Sequence, residues 1–200
     1  MSAQDYLDAV WDAVPEGAEP ERFAARRDFL LAHVAAGETV LDVGCGEGAF
    51  SAALAAAGAR PVAVDVVDEP LRRLRARFGA AVPDVRRAVA GAPLPLDDGE
   101  ADAAWAGEVI EHVHDVGAFA TELRRVVRPG GTLLVTTPDH PRRLLLKFAL
   151  SSRAFEEHVW PYADHLRFFT RRTLRMVLED AGFAEVAIAR AHGHLQAVAR

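Results

Sequence analysis

The sequence predicts an α/β fold built on a doubly wound, mostly parallel sheet. Short apolar runs of strand character alternate with helical stretches along most of its 200 residues. Glycines punctuate the turns between them, at Gly37, Gly58, Gly79 and Gly182. Half of the residues are apolar, which suits one compact domain with a sizeable core.

In order, residues 20–37 read as an amphipathic helix, with Phe23, Arg27 and Leu30–Leu31 at helical spacing and Gly37 as its stop. TVLDVG (39–44) is a buried strand, GAFSAALAAAG (48–58) an alanine-rich helix, and RPVAVDV (60–66) a second strand. A helix over 69–79 precedes a weaker third strand at 84–89, and a fourth strand covers 101–109. The helix predicted over 116–131 ends at Pro129-Gly130-Gly131, and strand five follows at 132–137. Residues 170–182 form a helix with a threonine cap, leading into strands at 183–189 and 194–200. No repeat or low-complexity linker divides the chain. The expected organisation is an N-terminal helical segment (1–37) and a main body (38–200), with an insert at about 140–169.

A formal charge of −6 argues against a non-specific nucleic-acid binder or a membrane-surface protein. The charge is uneven. Residues 101–200 hold 13 Lys/Arg and 12 Asp/Glu, whereas residues 1–100 hold 10 and 17, so an anionic substrate would meet the C-terminal half. The single cysteine, Cys45, rules out an internal disulfide and fits a reducing compartment. The acidic start MSAQDYLDAVWDAV lacks the pattern of a signal peptide, and no run approaches the roughly 20 apolar residues of a membrane span. A cytoplasmic protein without membrane contact is expected.

The strongest motif is VLDVGCGEGAF (40–50). Gly44, Gly46 and Gly48 follow a strand and open a helix, so backbone can turn sharply and approach a ligand closely. Asp65 closes the next strand, where a carboxylate can accept hydrogen bonds from both hydroxyls of a ribose. A nucleoside cofactor follows. The G-x-G-x-G spacing leaves less room for a diphosphate than G-x-G-x-x-G, which disfavours a nicotinamide dinucleotide.

VLDVGCGEG, VAVD, LPLDDGEAD, EVIEHV and LRRVVRPGGTLLVTTP, in this order, resemble the class I S-adenosylmethionine-dependent methyltransferases over about residues 38–190. The resemblance implies a Rossmann-like sheet of seven strands, the last antiparallel. It also implies that the Gly44–Gly48 loop holds the amino-acid part of the methyl donor and Asp65 its ribose. Expected donor contacts are Asp42, Gly44, Cys45, Gly46, Gly48, Asp65, Val66, Gly91, Ala92 and Glu108. One departure stands out. Ala90 occupies the place where family members often carry an aspartate for the adenine amino group, leaving adenine to backbone and apolar packing.

The stretch GEVIEHVH (107–114) gathers Glu108, Glu111 and His112 at spacings that share one face of a helical turn. It is similar to the metal-binding pattern of small-RNA 3′-terminal ribose 2′-O-methyltransferases, and ubiquinone-biosynthesis O-methyltransferases look similar there. In the first group a histidine completes the site, and DHLRFFT (164–170) offers His165. The resemblance therefore implies a divalent metal (Mg, Mn or Zn) held by Glu108, Glu111, His112 and His165. The alternative is a solvated helix start, with acids favoured by the helix dipole.

His165 or His140 is the candidate general base. His114 is expected in solvent, and Cys45 as a small loop residue without nucleophilic function. His158, Trp160 and Tyr162 make the insert aromatic, either enclosing a substrate or packing the insert onto the sheet. Arg142, Arg143 and Lys147 read as a solvated basic helix face or an anion contact. The expected activity is methyl transfer from S-adenosylmethionine to a small-molecule or sugar hydroxyl. An RNA ribose acceptor, a nicotinamide-dependent oxidoreductase and a non-catalytic donor-binding domain are the alternatives.

Overall fold

The structure, a computed structural model, describes residues 9–11, 13–160 and 165–200. Seven strands form one sheet: β1 (Thr39–Val43), β2 (Arg60–Asp65), β3 (Asp84–Arg87), β4 (Ala101–Gly107), β5 (Val127–Pro138), β6 (Val186–Ala191) and β7 (His194–Ala199). Their spatial order is β3-β2-β1-β4-β5-β7-β6. β1 pairs in parallel with β2 and β4, whereas β7 runs antiparallel between β5 and β6. The order reverses between β1 and β4, and that crevice at the carboxyl ends is where such sheets take ligands. The expected doubly wound, mostly parallel sheet is thus observed, with the antiparallel strand second from the edge.

The helices are α1 (Phe23–Leu31), α2 (Ala49–Ala56), α3 (Asp68–Phe78), α4 (Val116–Val126), α5 (Arg142–Leu150), α6 (Ser152–His158) and α7 (Arg171–Asp180). Alternate residues of the central strands feed two cores, because successive side chains of a strand point to opposite faces. Leu41, Val43, Ala104, Leu133 and Val135 meet Leu123 of α4 and Leu174 and Leu178 of α7 on one face. Val40, Ala103, Trp105 and Leu134 meet Leu30 of α1 and Phe50 and Leu54 of α2 on the other.

Three elements differ from expectation. The first helix is shorter than 20–37, and its buried arginine is Arg26 rather than Arg27. The helix expected to run to 131 stops at Val126, because β5 begins there and passes through Pro129-Gly130-Gly131 as an irregularity opposite Ala101–Ala103. A Cβ on Gly131 would stand 2.5 Å from the Asp102 carbonyl oxygen, so only glycine fits. The insert folds into two helices, α5 and α6, where only a basic helix face at Arg142, Arg143 and Lys147 was expected. β6 and β7 join through His192 and Gly193, whose positive φ values (52° and 83°) are those of a two-residue I′-type hairpin turn.

Candidate functional site

The glycine-rich loop lies between β1 and α2. Gly44, Gly46 and Gly48 have φ of 67°, 52° and 78°, a region that side-chain-bearing residues avoid. Space demands glycine as strongly: a Cβ on Gly44 would stand 2.5 Å from Val109 Cγ2, and one on Gly46 2.8 Å from the Trp11 ring. Asp65, at the end of β2, accepts from the Gly46 amide at 2.9 Å and the Val67 amide at 3.0 Å. It thereby ties the loop to the neighbouring strand while keeping lone pairs for a further donor. Burial pushes its carboxyl up, and those backbone amides oppose the shift.

The other expected donor contacts divide. Asp42 is buried beneath the loop and accepts from the Ser51 hydroxyl at 2.5 Å. Burial drives its carboxyl up to about 7, against that hydrogen bond and with the help of the Asp65 charge. The buried Cys45 thiol is likewise pushed well up by burial and by the charges of Asp42 and Asp65, consistent with an inert loop residue. Val66 is half-buried beside the larger core. Gly91 and Ala92 lie in an exposed turn, with Gly91 at φ 77°. Exposed Val89 and Ala90 adjoin that turn and offer apolar surface where the family aspartate is missing.

Glu108 departs from β4 with φ 59°, unusual for a non-glycine residue. Its Oε2 stands 3.0 Å from Nε2 of His194, the first residue of β7, and its Oε1 has no hydrogen-bond partner. His194 Nδ1 lies 2.8 Å from an Arg22 guanidinium nitrogen. A guanidinium only donates, so Nδ1 is the acceptor and Nε2 carries the hydrogen toward Glu108. Burial raises the Glu108 carboxyl, but His194 and the nearby Arg26 outweigh it and hold the group below its ordinary range. Arg26 itself lies over the faces of Phe50 and Trp105, at 4.8 and 5.8 Å from the ring centroids.

Glu111 is fully buried in the short 3₁₀ turn Ile110–His112. Its Oε2 accepts from the Thr137 hydroxyl at 3.0 Å, while Oε1 has no partner. Burial and then the Glu108 charge push it up to about 8. The Glu111 carbonyl accepts from the amides of Leu166 (2.8 Å) and Arg167 (3.0 Å), and this delivers His165 to the turn. The His112 and His165 rings stack edge to face at 4.9 Å. Ligand atoms of Glu111, His112 and His165 all lie within 4.8 Å of one another. The structure does not bring Glu108 into this cluster. Its positive-φ backbone and its bond to His194 commit it elsewhere, so three of the four expected ligands converge. One carboxylate and two imidazoles, with an unpartnered buried carboxylate oxygen, fit a divalent cation with open coordination positions.

His140, the other candidate base, packs against the insert. It is buried, with Nδ1 3.2 Å from the Phe169 carbonyl and Nε2 3.1 Å from His158 Nε2. The carbonyl requires hydrogen on Nδ1, so His140 Nε2 accepts from His158 and its lone pair is engaged. The pair fastens the end of α6 to the end of β5, a packing contact for His158, whereas Trp160 is exposed. His114 is exposed as expected. Tyr162 and Asp164 lie outside the described residues.

Sequence reasoning missed Arg22, Arg26 and His194, together with the N-terminal contacts of the loop. Arg73 bridges Glu47 of the loop at 2.9 Å and donates to the carbonyls of Val14 and Trp11. Glu47 also accepts from the Gly17 amide at 2.7 Å. Arg26 had a signal, since it falls on the Phe23–Leu30 stripe at helical spacing. His194 had none, because only the hairpin return carries it to Glu108.

A reversing α/β sheet with a glycine-rich loop and an acid closing β2 defines a nucleoside-cofactor-binding domain. A sequence profile described as Methyltransferase domain matches residues 16–188, and the chain belongs to this family. A protein of Mycolicibacterium smegmatis named probable S-adenosylmethionine-dependent methyltransferase is 34% identical over 173 residues, covering 85% of this chain and 62% of the relative. A ubiquinone biosynthesis O-methyltransferase of Pseudomonas paraeruginosa is 32% identical over 152 residues, covering 74% of this chain and 65% of the relative. The chain thus spans less than two thirds of these relatives. In fold it is similar to a structure of the Haloferax volcanii complex between the Trm112 methyltransferase activator and a methyltransferase. That likeness has a TM-score of 0.76 at 19% identity and covers 100% of this chain and 98% of the other. Among the described residues no helix is long and apolar enough to cross a membrane.

Proposed function

We propose that this chain transfers a methyl group from S-adenosylmethionine to a hydroxyl of a small molecule or sugar, with a divalent cation held by Glu111, His112 and His165. The observation that carries the reading is the convergence of those three side chains two residues from Val109, whose side chain abuts Gly44 of the donor loop. The Gly44–Gly48 loop receives the amino-acid portion of the donor, and Asp65 takes its ribose. The donor supplies an electrophilic methyl on sulfur, and the protein aligns acceptor, methyl and sulfur, which is the main lever in such a displacement. A divalent cation lowers the pKa of an acceptor hydroxyl and fixes its direction. Glu108, with its free oxygen and the His194 bond, orients polar groups at the end of β4. His165 is the base if no cation is used. The name of the Pseudomonas relative supports oxygen as acceptor, and the acidic charge favours a metabolite over RNA.

Direct titration with Mn²⁺ or Zn²⁺ tests the cation. Wild type should bind one equivalent, whereas Glu111→Gln and His165→Ala should lose binding and leave donor affinity nearly intact. Equal metal affinity in all three proteins removes the cation from the reading.

A further inference from the structure

Among the described residues, the insert between β5 and α7 presents an exposed apolar face. In α5, Leu144 and Phe148 turn inward and are half-buried, whereas Leu146 and Leu150 are 59% and 79% exposed. At about 100° per residue, Leu146 and Leu150 project opposite the inward pair. Phe155 of α6 and Trp160 just beyond it are also exposed. Single exposed apolar residues are ordinary, but a cluster on one hairpin marks an interaction surface.

Charge identifies the partner. Residues 140–175 contain eight of the chain's 23 Lys/Arg and three of its 29 Asp/Glu, a cationic island in a protein of charge −6. Arg142, Arg143 and Lys147 flank the exposed leucines on α5 and, among the described residues, enter no ion pair. Leucines pointing outward between cations, with an aromatic side chain at the edge, are the pattern of a helix lying in a lipid headgroup region. Two copies meeting on this face would bring like charges together, which disfavours self-association. We propose that the α5–α6 hairpin docks peripherally on an anionic lipid bilayer. The overall charge, which argued against a membrane surface, conceals this island. The inference stands apart from the methyl acceptor and the cation.

Co-sedimentation of the full chain with vesicles tests it, using phosphatidylglycerol–phosphatidylcholine mixtures against phosphatidylcholine alone. The chain should pellet with the anionic vesicles, release at raised salt, and stay in solution with the neutral ones. Arg142→Gln/Arg143→Gln/Lys147→Gln should lower the partition coefficient about a hundredfold, and Leu146→Ser/Leu150→Ser at least about tenfold. All five positions are exposed, so thermal midpoint and donor affinity should not change. If the leucine variant fails to fold, the charge variant carries the test alone. Failure to pellet with anionic vesicles at low salt overturns the proposal, as does equal pelleting with neutral lipid or undiminished binding of the charge variant. A dimer in light scattering that Leu146→Ser/Leu150→Ser dissolves, without vesicle binding, assigns the face to a second copy instead.

Discussion

His194 donates its Nε2 hydrogen to Glu108 across 3.0 Å, linking the start of β7 to the end of β4. Arg22 occupies the other ring nitrogen at 2.8 Å, so the imidazole orientation is fixed from both sides. The link secures a glutamate whose backbone sits at φ 59°, a conformation that persists only where the surroundings enforce it.

His194→Ala should therefore destabilise the fold by about 1–3 kcal/mol, the scale of leaving a buried polar group without its partner. Urea denaturation at neutral pH measures this. Arg22→Ala should cost less, because Arg22 is more exposed and His194 keeps its bond to Glu108.

Gly44→Ala should weaken donor binding and stability together, since the new Cβ meets Val109 Cγ2 and the residue must hold φ 67°. Adding Val109→Ala should recover the steric part and leave about 1 kcal/mol of backbone strain. A double-mutant cycle by calorimetry reads the recovery. Simple additivity of the two substitutions would remove the contact from the account.

Asp42 gives stability a distinctive pH dependence. Its folded-state carboxyl, up at about 7, lies above the unfolded value near 3.8, so between those values the native state binds more protons. Stability should fall as pH rises from about 4 to 7, by at most on the order of 4 kcal/mol from this group. Asp42→Asn keeps an acceptor for Ser51 and should reduce the slope in that window, leaving the parts from Asp65 and Glu111, whose carboxyls burial also raises. Denaturation midpoints of the two proteins at pH 5 and pH 8 check the sign.

The sheet was legible because β1, β2 and β4 carry short, mostly apolar runs and their turns carry glycine, signals that act locally. The turn at Gly44–Gly48 and the position of Asp65 at the end of β2 were legible for the same reason, while the bond from Asp65 to the Gly46 amide was not. What escaped depends on distant parts of the chain. Glu108 shares a helical spacing with Glu111, yet the chain leaves β4 through a positive φ and a 3₁₀ turn, and Glu108 bonds His194 instead of joining Glu111, His112 and His165. His140 looked available at a sheet edge until α6 brought His158 against it. The Pro-Gly-Gly that reads as a helix stop is consumed by β5, because Gly131 lets that strand press against the Asp102 carbonyl.

The most direct measurement is calorimetric titration of the chain with S-adenosylmethionine and, separately, with NAD. S-adenosylmethionine should bind at one site, and Asp65→Ala should weaken it by about 1–3 kcal/mol, the scale of hydrogen bonds to a charged group. NAD should produce no saturable heat. Saturable NAD binding without S-adenosylmethionine binding, or a donor affinity that Asp65→Ala leaves unchanged, would contradict the account of the loop and of what it holds.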